Sequence, residues 1–301
     1  MSNLPTAPAR TPEPNRIDSV SPTGDGRSAY WGLDAQGTVA AYLKRLRSIS
    51  VQLIVVLLAN LVVMLWAVRL ERYVLYLVAL ALTLVAAFVT RLRKVKLFTG
   101  LSEVVSQDCD PARYRAALDA LAERDRFGRS ANTIAIELAY CDYLELDSAG
   151  ALRRLESVTF KRKDNVRWFR AMQIEFLSRI DVGDLEGARD ALSRLSAFRK
   201  NFKEGSRNRA SADLQVADYA VLVRPPAERD AADAARMRER MALADCHQQH
   251  ANWQLYLAEY ELLHGSPEEA ARLAGDPTLE PLTPRMVRLR VEVLSGLEVS
   301  G

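Results

Sequence analysis

Cysteine and histidine are scarce in this sequence, with only three of each among 301 residues. The cysteines, Cys109, Cys141 and Cys246, are odd in number and widely spaced, which excludes the disulfide framework of a small secreted domain. Alternating runs of strand-forming residues are nearly absent. Nothing resembles a P-loop, a dinucleotide-binding glycine turn, or a serine or cysteine nucleophile beside a base. The sequence therefore predicts an all-α protein and names no reaction.

Long apolar runs, in contrast, are prominent. They cover residues 48–68 and 73–90 and are separated only by Arg69-Leu70-Glu71-Arg72. About 20 apolar residues in a helix cross a hydrocarbon core of about 30 Å, and a helix pairs its own backbone polar groups there. We therefore predict a hairpin of two transmembrane helices, with the first span acting as its own insertion signal. Arginine outnumbers lysine by 34 to 7, a usage typical of GC-rich bacteria, so we expect a bacterial inner membrane.

Positive charge is concentrated around these runs. Residues 1–96 contain 12 Lys and Arg against 5 Asp and Glu, whereas residues 97–301 contain 29 against 33. Seven cations flank the outer ends of the two runs, namely Lys44, Arg45, Arg47, Arg91, Arg93, Lys94 and Lys96. The positive-inside rule then places both termini in the cytosol, with these cations at an anionic phospholipid surface. Because the larger part is slightly acidic, we do not expect nucleic acid as a partner.

Three segments around the runs have distinct compositions. Residues 1–33 are rich in proline, serine and threonine, which predicts a disordered cytosolic head. Residues 34–47 alternate apolar and basic residues at helical spacing, with Asp34 as the N-cap. This predicts a basic amphipathic juxtamembrane helix or, alternatively, a cytosolic extension of the first span. Residues 91–100 are expected to form a basic linker.

Three polar side chains interrupt the apolar runs: Gln52, Asn60 and Thr83. An amide in hydrocarbon needs a hydrogen-bond partner. Asn60 is expected to bond to Thr83, which would set the register of the hairpin, or to a second copy of the chain, which would make a homo-oligomer. Two helices without an intramembrane charge do not enclose an aqueous path, so we expect these residues to serve helix packing.

Beyond residue 96 the apolar period becomes that of short amphipathic helices, about ten in number, broken by glycine and proline. Three turns between paired helices can be superposed. In each, one helix ends, a small polar residue caps the next helix, and an alanine follows on its inner face. The three turns are Leu146-Asp147-Ser148-Ala149-Gly150-Ala151, Gly183-Asp184-Leu185-Glu186-Gly187-Ala188 and Gly265-Ser266-Pro267-Glu268-Glu269-Ala270.

This pattern resembles tetratricopeptide repeats, whose helix-turn-helix unit ends its first helix at Gly-Asp and has a small alanine in the second. Leu138-Ala139 and Leu257-Ala258 stand where that family has its Leu-Gly pair. The units here are longer than the family's usual length of about 34 residues, and most of its aromatic and closing proline positions are missing. The resemblance implies a tetratricopeptide-like α-solenoid of about five helix pairs over residues 101–301, acting as a protein–protein adaptor.

An adaptor of this kind would bind a protein or peptide partner through polar residues on the first helix of each pair. The candidates are Asn165, Arg167, Gln173, Gln249, Asn252 and Gln254. Two basic clusters, within residues 161–170 and 199–209, lie one repeat apart at helix ends. If they share an edge, that edge would contact anionic headgroups or an acidic partner; otherwise they are solvated loop charges.

Two other interpretations remain open. One is a membrane-tethered enzyme with a site in the concave face, where Cys246, His247 and His250 are the candidate chemical residues. A structural zinc site needs four ligands, so we expect no metal or other cofactor. The other is a membrane assembly built by self-association of the hairpin. Since no catalytic motif is present, we favour a non-enzymatic, membrane-anchored cytosolic scaffold.

Overall fold

The computed structural model describes residues 26–125, 128, 130–160 and 164–300. For residues 299 and 300 it describes the backbone only. The described part is all-α. Its helices are α1 Ala35–Arg69, α2 Tyr73–Ser106, α3 Pro111–Ala122, α4 Ala131–Leu144, α5 Ser148–Glu156, α6 Asn165–Asp181, α7 Leu185–Phe198, α8 Arg207–Leu222, α9 Ala231–Ala242, α10 His247–His264, α11 Pro267–Gly275 and α12 Pro284–Ser300. Short 3-10 turns follow α7, α8 and α11, at Arg199–Asn201, Pro226–Glu228 and Pro277–Leu279.

Helices α1 and α2 form a pair, and each is long and apolar enough to cross a membrane. Outward-facing side chains such as Val55, Leu65 and Leu84 are exposed along the pair. Buried Ala67 and Ala79 lie where small side chains let the two helices approach closely. An exposed apolar surface of this extent favours a membrane contact.

Two hydrogen bonds fix the register of the pair. Asn60 Nδ2 donates to Thr83 Oγ1 at 3.4 Å. Of the two predicted partners for Asn60, Thr83 and a second copy of the chain, the structure therefore contains Thr83. Arg93 Nη1 donates to Gln52 Oε1 at 3.2 Å. Because the helices are antiparallel, this register brings all seven flanking cations to the same end of the hairpin.

Neither segment that flanks the apolar runs is a separate element. Residues 35–47 continue into the first run as one helix, α1, and Asp34 caps it by accepting a hydrogen bond from Gly37 N at 2.7 Å. Residues 91–100 are not a linker, because they continue α2 without a break. No proline interrupts either helix, and lysine and arginine have high helix propensity.

The end of the predicted disordered head is ordered, which corrects that prediction for residues 26–33; residues 1–25 lie outside the described residues. We call residues 26–33 the N-terminal strap. Tyr30 is only 1% exposed and packs in a core that includes Tyr42 and Leu101. Ser28 N donates to Asp108 Oδ1 at 3.0 Å. The strap therefore joins the start of α1 to the turn after α2.

Beyond α3 the helices pack mainly as sequential pairs, such as α4 with α5, α6 with α7 and α10 with α11. The superposed turns share their capping geometry. Gly150 N donates to Asp147, Gly187 N to Asp184 and Glu269 N to Ser266, at 2.8, 2.9 and 3.2 Å. The alanine that follows each cap has no exposed surface: Ala151, Ala188 and Ala270.

The C-terminal helices return to the start of the domain. Tyr140 OH donates to Gln248 Oε1 at 3.0 Å, and His247 N donates to Gln107 Oε1 at 3.1 Å. The Arg285 guanidinium lies 4.8 Å from the ring centroid of Tyr143. In a solenoid each repeat contacts only its neighbours, so the structure supports the pairing of helices without establishing a solenoid.

Candidate functional site: an arginine-lined cleft

A cleft of about 330 Å³ opens between the α6–α7 turn, the segment after α8, and helices α10 and α12. Pockets of about 300–1,000 Å³ are the usual size of ligand sites. Its floor is apolar and consists of Leu177, Ile180, Leu185, Leu222 and Leu289. Its charged residues are four arginines and three carboxylates: Arg224, Arg229, Arg285, Arg288, Asp181, Glu259 and Glu292. The cleft thus combines an apolar surface with guanidinium donors.

Asp181, at the end of α6, is the central carboxylate of the cleft. It accepts a hydrogen bond from Ser148 Oγ at 2.7 Å. Arg285 Nε lies 3.5 Å from Asp181 Oδ1, and Arg288 pairs with the same oxygen. Two cations therefore share one buried carboxylate, and Arg288 also pairs with Glu292 at 3.6 Å.

Arg229 and Arg285 are both buried in the wall of the cleft. Arg229 Nη1 donates to Glu259 Oε2 at 2.7 Å. In the described part of the chain, the Nε–H groups of both arginines have no hydrogen-bond acceptor. A buried donor without an acceptor is costly, and because these Nε atoms have almost no accessible surface, an anionic group in the cleft would reach them only after a side-chain movement.

The charge of Arg285 is secured by its surroundings. Burial alone would lower the pKa of its guanidinium, but the neighbouring Tyr143, Tyr256 and Asp181 raise that pKa overall. Arg285 is therefore cationic at any physiological pH.

Arg224 stands at the mouth of the cleft and fixes the segment between α8 and α9. Its Nη1 atom lies 2.5 Å from Asp233 and 3.0 Å from Asp230. Asp230 is the N-cap of α9 and forms a capping box with Asp233. The arginine thus holds the start of α9 in place, and Arg229 projects from the same connection.

None of the six predicted partner-binding residues lines this cleft. Gln173 is buried and pairs with Gln215 of α8. Gln254 is also buried, and its Nε2 atom donates to Leu273 O at 2.9 Å. The amides of these two glutamines therefore serve packing between helices.

The other four predicted binding residues are more accessible but do not form one constellation. Asn165 Nδ2 donates to Asn201 O at 3.3 Å, and Arg167 pairs with Asp164 at 3.4 Å. Gln249 is exposed near the start of α10, whereas Asn252 Oδ1 is buried without a partner among the described residues. The helical spacing that suggested these residues did not reveal which of them face inward.

The candidate chemical residues at the start of α10 are engaged within the protein. His247 Nε2 lies 2.9 Å from both Leu279 O and Pro281 O, and His250 Nδ1 lies 3.1 Å from Met241 O. Burial raises the pKa of the Cys246 thiol to about 11. Across the described ranges, no group of three or more His, Cys, Asp or Glu side chains is arranged to hold a metal ion.

No protein-family profile, curated protein or solved structure matches this chain. What the fold defines is an all-α protein whose described part has two long apolar helices followed by paired shorter helices.

Proposed function

We propose that this protein is a membrane-anchored cytosolic scaffold whose paired helices bind a protein or peptide partner. The apolar surface of the α1–α2 hairpin and the cations at one of its ends support an inner-membrane anchor with both termini in the cytosol. Anchoring confines the domain to the membrane surface, which raises its effective concentration for partners located there.

The observation that carries the binding role is the arginine-lined cleft. Charge-assisted hydrogen bonds from arginine to carboxylate are among the stronger polar contacts in proteins, and four arginines line the cleft. The apolar floor beside them fits a hydrocarbon side chain. We therefore expect the partner segment to present a carboxylate next to an apolar residue.

The N-terminal strap supports a scaffolding role because it ties the cytosolic domain to the hairpin. Arg113 of α3 donates to Tyr30 O and Leu33 O at 3.1 and 2.9 Å. Asn60 finds Thr83 within the same chain, so the proposal needs no second copy in the membrane. A partner bound in the cleft would thus be held at a defined position relative to the bilayer.

Site-specific photo-crosslinking in native membranes tests this function. A photoreactive amino acid replaces Leu185 in the cleft, and in a control variant it replaces Arg189, which is exposed one turn further along α7. We expect a discrete crosslinked protein from position 185 that is lost when Arg229→Ala is added. Identical crosslinks from both positions, or persistence of the product in the Arg229→Ala background, would refute the cleft as the binding site.

A further inference from the structure

The edge of the helical domain that faces the membrane is basic and carries an exposed tryptophan. We infer that this edge binds anionic phospholipid headgroups and lays the domain against the inner leaflet. The inference rests on the proposed membrane anchor and adds a second, lipid-binding surface distinct from the arginine-lined cleft.

Helix α3 packs alongside the start of α1. Arg113, near its start, contacts Leu33 just before α1. Residues from Ala35 to Leu43 of α1 and from Ala116 to Arg124 line one shared groove. Helix α3 therefore runs parallel to α1, toward the membrane. At 1.5 Å per residue, the level of Leu43 is about 8 Å from the start of the apolar run at residue 48.

Helix α4 then runs back, away from the membrane. Arg115 near the start of α3 pairs with Glu145 just after the end of α4 at 2.5 Å, as expected for antiparallel helices. The start of α4 consequently lies on the membrane side, where Asn132 contacts the carbonyl of Thr159.

Helices α6 and α8 begin on the same side as α4. Arg170 pairs with Glu137 of α4 at 3.6 Å, and Gln173 bonds to Gln215 of α8. The hydrogen bond from Asn165 to the carbonyl of Asn201 joins the two adjacent loops at 3.3 Å. We call the described residues 159–160, 164–168 and 199–209 the proximal edge.

The proximal edge has an excess of positive charge. Residues 199–209 contain five cations and a single carboxylate, Glu204. Arg199 and Arg209 pair with Asp213 at 3.0 Å. The remaining three, Lys200, Lys203 and Arg207, are exposed and form no ion pair with any residue whose position the structure describes.

An exposed aromatic residue accompanies these cations. Trp168 stacks between Phe160 and Phe198, with ring centroids 4.4 and 5.9 Å away, and is still 37% exposed. Val166 beside it is 60% exposed. Tryptophan favours the headgroup level of a bilayer, and lysine and arginine near an anionic leaflet are attracted to it.

The turns at the opposite ends of α4 and α6 are acidic. The α4–α5 turn carries Glu145 and Asp147, and the α6–α7 turn carries Asp184, with no cation in either turn. Of these connections, those at the edge that faces the bilayer therefore have the charge complementary to anionic lipid. This edge lies on the side where α1 and α2 enter the apolar region, which is why we assign the surface to lipid rather than to an acidic protein.

Hydrogen exchange of the full-length chain in nanodiscs tests the inference. One set contains phosphatidylcholine only, and in the other a quarter of the lipid is phosphatidylglycerol. We expect slower amide exchange across residues 199–209 in the anionic nanodiscs. Each surface cation contributes about fivefold to such a contact, so K200E/K203E should lose most of this protection. The matched control R189E/R272E, which reverses two exposed charges outside the proximal edge, should retain it.

Equal amide exchange of residues 199–209 in the two kinds of nanodisc would overturn the inference. This holds whether these residues are protected in both kinds or in neither. So would equal loss of protection in the two charge-reversal variants. These outcomes are separate from failure of the proposed function, because a chain that does not enter nanodiscs contradicts the membrane anchor, and absence of Leu185 crosslinks contradicts only the cleft.

Discussion

At the residue scale, one buried ion pair holds the N-terminal strap, α2 and α3 together. Arg113 Nη2 lies 2.6 Å from Asp108 Oδ2, and the Asp108 side chain has no exposed surface. Arg113 also binds two strap carbonyls, while Ser28 binds the same aspartate. A buried pair of this kind stabilises a fold only when both charges are satisfied. Here the strap supplies the additional hydrogen bonds.

Replacing Arg113 by methionine should therefore destabilise the domain by about 3–5 kcal/mol, because Asp108 is left as a buried, uncompensated charge. The control is Arg272→Met, which removes an exposed pair with Glu269 and should cost at most about 1 kcal/mol. Thermal unfolding of the full-length protein in detergent, followed by circular dichroism, measures both. Equal shifts in the two variants would contradict a structural role for the buried pair.

Sequence reasoning did not find this network or the cleft, because both bring together residues that are distant in the chain. Ser28 and Asp108 are 80 positions apart, and the composition of residues 1–33 masked the ordered strap. The cleft combines Asp181, Arg229 and Arg285, which share no local motif. Asp34 was predictable as a cap, in contrast, since capping depends only on neighbouring residues.

At the scale of the element, the turns between paired helices were recognisable in the sequence because their conformation depends on neighbouring residues. Leu146 and Gly183 occupy the same position and adopt φ of 72° and 78°. A left-handed conformation is costly for a residue with a side chain and open to glycine. Each is followed by an aspartate cap, so the local sequence determines the turn even where the residue in the left-handed position is unfavourable.

Leu146→Gly should consequently stabilise the protein by about 0.5–1 kcal/mol, since it removes the left-handed strain at a partly exposed position. Gly183→Ala should have the opposite effect, with a cost of about 1–2 kcal/mol. Parallel melting curves of both variants and the parent provide the measurement. Destabilisation by Leu146→Gly would show that packing of the leucine outweighs its backbone strain.

At the scale of the whole molecule, the apolar α1–α2 hairpin and the domain of shorter helices share structural elements. Tyr42 of α1 and Leu101 and Val104 of α2 belong to the same core as the helices of the domain. Both long helices therefore extend from the apolar region into the domain, without a linker between them. The existence of the two long helices was predictable from the length of the apolar runs. Their packing against the domain was not predictable, because the return of α10 and α12 to the start of the domain depends on contacts between residues distant in sequence.

Labelling from each side of the membrane tests whether α1 and α2 span the bilayer. Glu71→Cys places a thiol in the turn between α1 and α2, and Arg189→Cys places one on the exposed surface of the domain. A membrane-impermeant maleimide is applied to right-side-out and inside-out vesicles, with the parent chain as background. We expect Glu71→Cys to be labelled only in right-side-out vesicles and Arg189→Cys only in inside-out vesicles. Labelling of both thiols from the same side would contradict a hairpin that spans the bilayer.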